Sequence, residues 1–567
     1  MKRIRFFLLL IIFSALTANA SAQTSDRQKT ASLLNEYLKR MEAFGFGGAV
    51  LIEREGRIIF NKGYGWANLN ERIPFSPETP FPVQSISKQF TAASVLKLEE
   101  RGKLRIEDPI GRFFKDAPED KKAITVHQLL THTSGFGDNY AGSGIFSRDE
   151  AVRAILRQPL DNPPGKKMIY SNDGYELLAA IVETVSGENL ADFVRRNFFI
   201  PAEMKTAGFQ GDGDFWKNET VAHAYNGFFD NGSPQNVRRD WDGYGSGDIV
   251  MSVEDLFNWE LALRQNRVLS EAMKKKMFSP YASFRENWDY GYGWFIIKSE
   301  NEPVRYYHGG GDVPRGYTAS FTRYPEEKMT IIILSNTMTD EMGFLRAVKP
   351  DIENIVFGQT FEMPPAVASN APFELKKYAG IYRTEGGEGF VLEFRDERLL
   401  IGALDQKAVD FLTTPDEETS RDLVKYDRLA ADFVEKVIRN ESGAPSAQTA
   451  FDDLKNRYGD FKGFEVLGTG PVSFSPRIST TFVKLNFAKG AEVVRFVRRG
   501  DGTPYQLLGT PYPAMTPVMP GPESDKFSAY YPFLQKKISL RFEFGQDKEI
   551  KALSLDNGKS VLSARKL

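Results

Sequence analysis

The chain has 567 residues, 41% hydrophobic and 26% charged, a globular composition that excludes disordered and fibrous classes. Lys plus Arg number 73 and Asp plus Glu 75, so no charge field draws it to nucleic acid or to an anionic membrane surface. Cysteine is absent, which excludes disulfides, thiol catalysis and Cys–zinc sites. The four histidines (His127, His132, His223, His308) form no HExxH pair, so neither a metal nor another cofactor is expected.

Lys2, Arg3 and Arg5 precede an apolar run from Phe6 to Leu16, followed by small residues at Ala18-Asn19-Ala20 and Ala20-Ser21-Ala22. This predicts a cleavable signal peptide over 1–22, because the run falls short of the ~20 apolar residues that span a bilayer. The expectation is an exported protein, periplasmic or secreted, with no integral membrane span after cleavage. Residues 27–44 carry helical spacing through Leu33, Leu34, Tyr37, Leu38 and Met41. Gly48–Ile52 and Arg57–Phe60 flank Glu55-Gly56 as a hairpin. A second pair, Tyr317–Arg323 and Met329–Leu334, precedes a helix predicted over Asp340–Val356. Between the two hairpins the pattern reads mostly as helix and loop. Helix–hairpin at one end and hairpin–helix at the other suit an antiparallel sheet whose terminal helices share a face.

A stretch poor in hydrophobes with three prolines, Met363-Pro364-Pro365-Ala366 to Asn370-Ala371-Pro372, marks a linker. Beyond it come short strands at 378–383, 390–394 and 399–401, helices at 426–439 and 450–458, and strands at 464–467, 481–487 and 493–497. A closing hairpin is expected at 538–544 and 550–555. The division read from this is 27–360, a linker at 361–373, and a β-rich region at 374–567 with an α+β insertion.

Three short motifs carry possible chemistry. Ser85-Ile86-Ser87-Lys88 opens a helix that runs to Arg101, where Gly102 supplies a stop. Ser85 and Lys88 are then one turn apart on one face, at the positive end of the helix dipole. A desolvated Lys there can take the serine proton. Tyr170-Ser171-Asn172 lies in a loop entering a helix, and a phenol beside an amine can shuttle a proton. His308-Gly309-Gly310-Gly311 is expected just before a strand, where glycines admit a substrate backbone and an N–H can join that of Ser85 in an oxyanion hole. Each motif alone has a plain structural explanation: a solvated helix face, a packed tyrosine, a Gly-rich turn. Ser94-Val95-Leu96-Lys97 and Ser563-Ala564-Arg565-Lys566 repeat the first pattern, one in mid-helix and one near the C-terminus.

Taken together and in this order the motifs resemble the serine β-lactamase and penicillin-binding-protein family, in particular its class C branch. Phe81–Lys88 with Gln89-Phe90-Thr91-Ala92-Ala93, Ile124–Gly135, Pro164-Gly165 and Gly291-Tyr292-Gly293-Trp294 extend the resemblance over about 30–358. It implies an α/β (α+β) fold, an antiparallel sheet flanked by helices plus an all-helical lobe. It further implies Ser85 as nucleophile, Lys88 as its proton acceptor, and Tyr170 as the acid for the leaving group and activator of the deacylating water. Asn172 would bond substrate or hold Lys88, and Gly310 and Gly311 would line the substrate, Gly311 giving the second oxyanion N–H. His308 stands where the family carries the Lys of Lys-Thr-Gly. A group largely neutral at pH 7 replaces a permanent cation, so esters and D-amino-acid peptides or amides are expected to react better than β-lactams. His127 and His132 read as structural. Tyr378-Ala379-Gly380-Ile381-Tyr382 looks like the start of a lipocalin-like barrel often appended to such hydrolases. The partner expected is a small-molecule or peptide substrate.

Two rivals remain at this level. An α/β-hydrolase would use His308–Gly311 as its oxyanion motif, yet the Gly-x-Ser-x-Gly elbow is missing. A non-catalytic or slowly acylating binder of cell-wall peptides would keep the same fold.

Overall fold

The computed structural model describes residues 27–567 apart from 138, 227–228, 301, 313–314, 340–341, 368–374, 396–397, 404–405, 414–424, 442–444, 472–477, 500–503, 510–515, 522–525 and 532–535. The signal-peptide expectation and the second part of the predicted linker, 368–373, lie outside the described residues.

An eight-stranded antiparallel sheet organises the first part of the chain. Its strands are β1 (Gly48–Arg54), β2 (Arg57–Tyr64), β3 (Ala282–Arg285), β4 (Trp288–Tyr290), β5 (Phe295–Ile297), β6 (Arg305–Asp312), β7 (Tyr317–Tyr324) and β8 (Met329–Ser335), in the order β3-β4-β5-β6-β7-β8-β1-β2. The central strands β1 and β8 are buried at nearly every position because both faces are covered. Period-2 alternation sends Ala49, Leu51, Ile332 and Leu334 to one core and Val50, Ile52, Ile331 and Ile333 to the other.

Helices lie on both faces: α1 over 27–43, α2 (Lys88–Glu100), α3 (Asn172–Ser186), α4 (Val253–Arg264) and α5 (Phe344–Phe357). The outermost two, α1 and α5, share one face as the sequence order requires. Leu34, Leu38 and Met41 meet Val348 and Ile352 there, and Tyr37 donates to Asp351 at 2.7 Å. On the other face α2 and α3 belong to the helical lobe. Each fully buried Leu, Ile or Phe at these seams contributes about 1.5–3 kcal/mol.

The stretch between the hairpins, read mostly as helix and loop, also supplies β3, β4, β5 and β6, half the sheet. One expectation is corrected. The helix predicted from Asp340 starts at Phe344, because Met342–Gly343 pairs as a short strand with Thr337–Thr339.

The C-terminal part contains a closed barrel. Its strands are β9 (Gly380–Thr384), β10 (Gly389–Arg395) and β11 (Arg398–Ala403), then β16 (Thr516–Pro520), β17 (Lys526–Tyr531), β18 (Lys536–Phe544), β19 (Ile550–Asp556) and β20 (Val561–Lys566). Pairing of β9 with β20 closes it. Between β11 and β16 the chain makes helices and a separate sheet of β12 (Phe461–Pro471), β13 (Ile478–Phe487), β14 (Gly490–Arg499) and β15 (Pro504–Gly509). The barrel leans on the first part: Tyr530 packs 5.5 Å from Phe44 within the α1–α5 core. The described start of the predicted linker is pinned as well, with Arg40 donating to the Pro364 carbonyl at 2.8 Å.

Candidate active site

Ser85 sits in a 3₁₀ turn, Gln84–Ser87, that runs straight into α2. Gln84 just before it has a left-handed φ of 51°. Such a conformation costs a non-glycine residue of order 1–3 kcal/mol and persists only where its surroundings impose it. The surroundings are β6 and the lobe. A Cβ on Gly310 would meet the Val83 carbonyl at 2.2 Å, so this strand position must be glycine for the Ser85 turn to seat against the sheet. Gly293, at φ 76°, backs onto Gln89 from behind in the same way.

Lys88 is fully buried, and its Nζ is the hub of the site. It lies 3.2 Å from Ser85 Oγ, 2.6 Å from Asn172 Oδ1 and 3.1 Å from the Ser246 carbonyl. The amide oxygen and the carbonyl are acceptors only, so two N–H bonds of Lys88 are committed to them. The third of these contacts is the one to Ser85 Oγ, to which the charged amine donates and to which a neutral amine, with two hydrogens and one lone pair, would present the lone pair. The Tyr170 ring lies beneath the same nitrogen, 4.8 Å to its centroid, and Tyr175 lies at 5.5 Å.

The second motif is built by a helix cap. Ser171 Oγ accepts from the Gly174 N–H at 3.0 Å and starts α3, placing Asn172 in the first turn beside Lys88. The Ser171 N–H donates to His132 Nδ1 at 3.1 Å, and the His132 ring stacks 4.4 Å from Tyr170. Burial first, then the charge of Lys88, holds His132 well below its usual range, so it is neutral. His132 therefore supports Tyr170 from inside. His127, bonded to the Tyr292 hydroxyl at 2.8 Å, lies in the same stretch of loop and helix.

His308 points from β6 into this interior. Its Nδ1 lies 2.7 Å from the Gly309 carbonyl, which can only accept, so the ring proton is there and Nε2 accepts from Tyr290 at 3.2 Å. Burial, then the charge of Lys88, pushes its pKa down to about 3, against the pull of the Gly309 carbonyl. The position is therefore neutral at physiological pH. The glycines that follow lie within β6 and before β7: Gly309, Gly310 and Gly311 pair with β7, while β5 reaches only Arg305–Tyr307, and Gly310 serves close packing of the Ser85 turn. Gly311 is exposed, with no atom within 4 Å of where a Cβ would stand.

Thus Ser85, Lys88, Tyr170 and Asn172 meet around one nitrogen, and His308 and Gly310 border them. Sequence reasoning missed Ser246, Tyr290 and Glu176. The cluster Gly243-Tyr244-Gly245-Ser246-Gly247 was a readable signal for the first. The other two look like ordinary core positions. Among the described residues no group of His, Asp and Glu could hold a metal.

The sequence profile of the Beta-lactamase family matches residues 39–349. The chain belongs to the beta-lactamase family. It is 30% identical over 405 residues to penicillin-binding protein 4* of Bacillus subtilis (strain 168), covering 67% of this chain and 88% of that one. It is 25% identical over 312 residues to the teichoic acid D-alanine hydrolase of Staphylococcus aureus (strain MRSA252), covering 54% and 74%. The octameric penicillin-binding protein homologue from Pyrococcus abyssi aligns over 86% of this chain and 99% of its own, with a TM-score of 0.52 and 20% identity, a likeness of fold. This beta-lactamase-family chain thus shares its fold with penicillin-binding proteins, and the family includes hydrolases. No described helix is long and apolar enough to cross a membrane.

Proposed function

We propose that the chain is a serine hydrolase that works through an acyl-enzyme on ester or amide bonds, with Ser85 as nucleophile and Lys88 as base. The observation that carries this reading is the hub: Lys88 Nζ stands 3.2 Å from Ser85 Oγ while it also bonds Asn172 Oδ1 and the Ser246 carbonyl, which can take two hydrogens of the amine in its neutral form. Burial of an amine favours its neutral form, and the helix N-terminus favours developing charge at Ser85. Lys88 takes the hydroxyl proton as Oγ bonds the acyl carbon. Tyr170 protonates the departing alcohol or amine as that bond breaks, and the proton held by Lys88 restores the phenol. Water then repeats the sequence in reverse and frees Ser85. The N–H groups of Ser85 and Gly311 receive the oxyanion.

Neutral His308 offers no fixed cation to a substrate carboxylate. Short acyl esters and D-amino-acid peptides or amides are therefore favoured over β-lactams, a choice in keeping with the D-alanine hydrolase among the relatives. The basic–apolar–small N-terminal pattern supports export to the periplasm or beyond. Residues 27–360 are taken as the hydrolase unit, with 374–567 as an appended lipocalin-like region carrying an insertion.

The test is covalent labelling with a fluorophosphonate, read by intact and peptide mass spectrometry. One adduct on the Ser85 peptide, absent in Ser85→Ala, is expected. A folded protein that takes no label favours the cell-wall-peptide binder. A panel of p-nitrophenyl acetate, D-Ala peptides and nitrocefin tests the substrate order, and fast nitrocefin turnover without esterase activity overturns it.

A further inference from the structure

Glu176 lies one turn along α3 from Asn172, and its carboxyl is turned inward, 1% exposed. A buried carboxyl normally has its oxygens satisfied. Here Oε2 accepts from the Gly245 N–H at 2.7 Å, and the Ser246 hydroxyl is the other group that bonds the carboxyl. The peptide it grips belongs to the hub. The Gly245 carbonyl accepts from Thr91 Oγ1 at 2.6 Å, and the next carbonyl, that of Ser246, accepts from Lys88 Nζ. Thr91 and Lys88 are one turn apart on α2. The Gly245-Ser246 dipeptide is thus held from α2 by two bonds and from α3 by Glu176. The fit is close, since a Cβ on Gly245 would stand 2.3 Å from the Tyr175 carbonyl.

Building on the serine-hydrolase reading, we propose that Glu176 is a positioning residue for the lysine base. It clamps Gly245-Ser246 so that the Ser246 carbonyl keeps one Lys88 hydrogen and the Lys88 lone pair stays on Ser85.

Its charge state follows from its surroundings. Burial pushes the Glu176 carboxyl up to about 8, against the Gly245 N–H and the Ser246 hydroxyl. Asp248 from the loop pushes it the same way as burial, and Lys88 from α2 opposes. Below pH 8 Glu176 is a neutral acid, and the clamp adds no charge beside the amine. As it ionises, the new anion favours the ammonium form of Lys88, which cannot accept the Ser85 proton. The clamp thereby sets an alkaline limit on acylation.

The experiment uses the full-length protein and the variants Glu176→Gln and Glu176→Leu, with Ser85→Ala as blank. The rate of fluorophosphonate labelling of Ser85 is followed by intact mass from pH 5.5 to 10, with kcat and KM for p-nitrophenyl acetate alongside. Wild-type labelling is expected to fall above about pH 8. E176Q keeps the acceptor for Gly245 and cannot ionise, so most of the rate at pH 7 survives and the falling limb moves up by about 1 pH unit or more. E176L lacks the acceptor, and kcat falls about 10-fold with little change in KM. A limb unmoved in E176Q, or an unchanged kcat in E176L, overturns the clamp. Should E176L fail to fold, the E176Q profile decides alone. If Ser85 of the wild type takes no label, the hydrolase reading falls and the clamp with it. If wild type and variants label alike, the clamp alone falls.

Discussion

Around Ser85 the hydrolase region buries Lys88, Glu176, His132 and His308 side by side, whereas from Gly380 onward the buried polar residues among those described are Thr516, Ser528 and Asn557, all neutral. The barrel interior is otherwise apolar and aromatic, with Tyr382, Phe390, Leu392, Leu399, Phe527 and Leu553 in one cluster. The barrel obeys the rule that burial goes to apolar surface. The cleft departs from it at the positions where the proposed mechanism calls for a base and its supports. Stability alone would remove those groups. Their retention marks the cleft as the place where structure serves chemistry, and the barrel as a region built to be stable.

The contrast can be broken by mutation. The largest effect is expected from Ser85→Ala and Lys88→Met, each lowering acylation about 10³-fold or more, as measured by labelling rate. Lys88→Met should keep or raise the melting temperature, because it exchanges a buried amine for an apolar chain of similar length. A clear loss of stability there would sink the claim that the cleft sacrifices stability. Next is Leu553→Ala in the barrel, expected to cost about 2–5 kcal/mol in denaturant unfolding of that region while Ser85 labels at the wild-type rate. A labelling rate that collapses with it would show the two regions to be one functional unit. Gly310→Ala puts a methyl 2.2 Å from the Val83 carbonyl and should slow labelling about 10–100-fold, whereas Gly311→Ala, with open space, should leave the melting temperature unchanged.

The smallest effect concerns pH. The folded-state pKa of Glu176 is raised to about 8, above its unfolded value, so between about pH 4.5 and 8 the folded form holds more protons than the unfolded one. Its favourable contribution is full below pH 4.5 and is lost as pH rises through 8. Melting scans should therefore fall by a few degrees from pH 5 to 9 in wild type and fall less in E176Q. Equal slopes would refute the neutral buried acid.

Much of this was readable from residues. The apolar runs Gly48–Ile52 and Met329–Leu334 were legible as strands of an antiparallel sheet, which the structure pairs at its centre, and Ser85, Lys88, Tyr170 and Asn172 stood out by motif order. The strands β3, β4 and β5 did not, because three or four residues are too short for any period to emerge. The third motif reads as a turn since glycines usually break strands. Only the approach of Val83 from another part of the chain explains the glycine at 310. Glu176 was illegible for a related reason. In α3 it looks like one more helix-forming acid, and its burial depends on a loop seventy residues away.

The pairing that joins β1 to β8 has a consequence for how the molecule is made. Residues 48–54 wait for 329–335 before the middle of the sheet exists, so the nucleophile turn has no floor until most of that region has been synthesised. Once α5 follows, that region is sealed on both faces. The barrel is sealed separately by its own final strand, β20, on its first, β9. Two late-arriving strands thus act as separate latches, and the face of the first region that Tyr530 covers is completed only once the barrel strands have emerged.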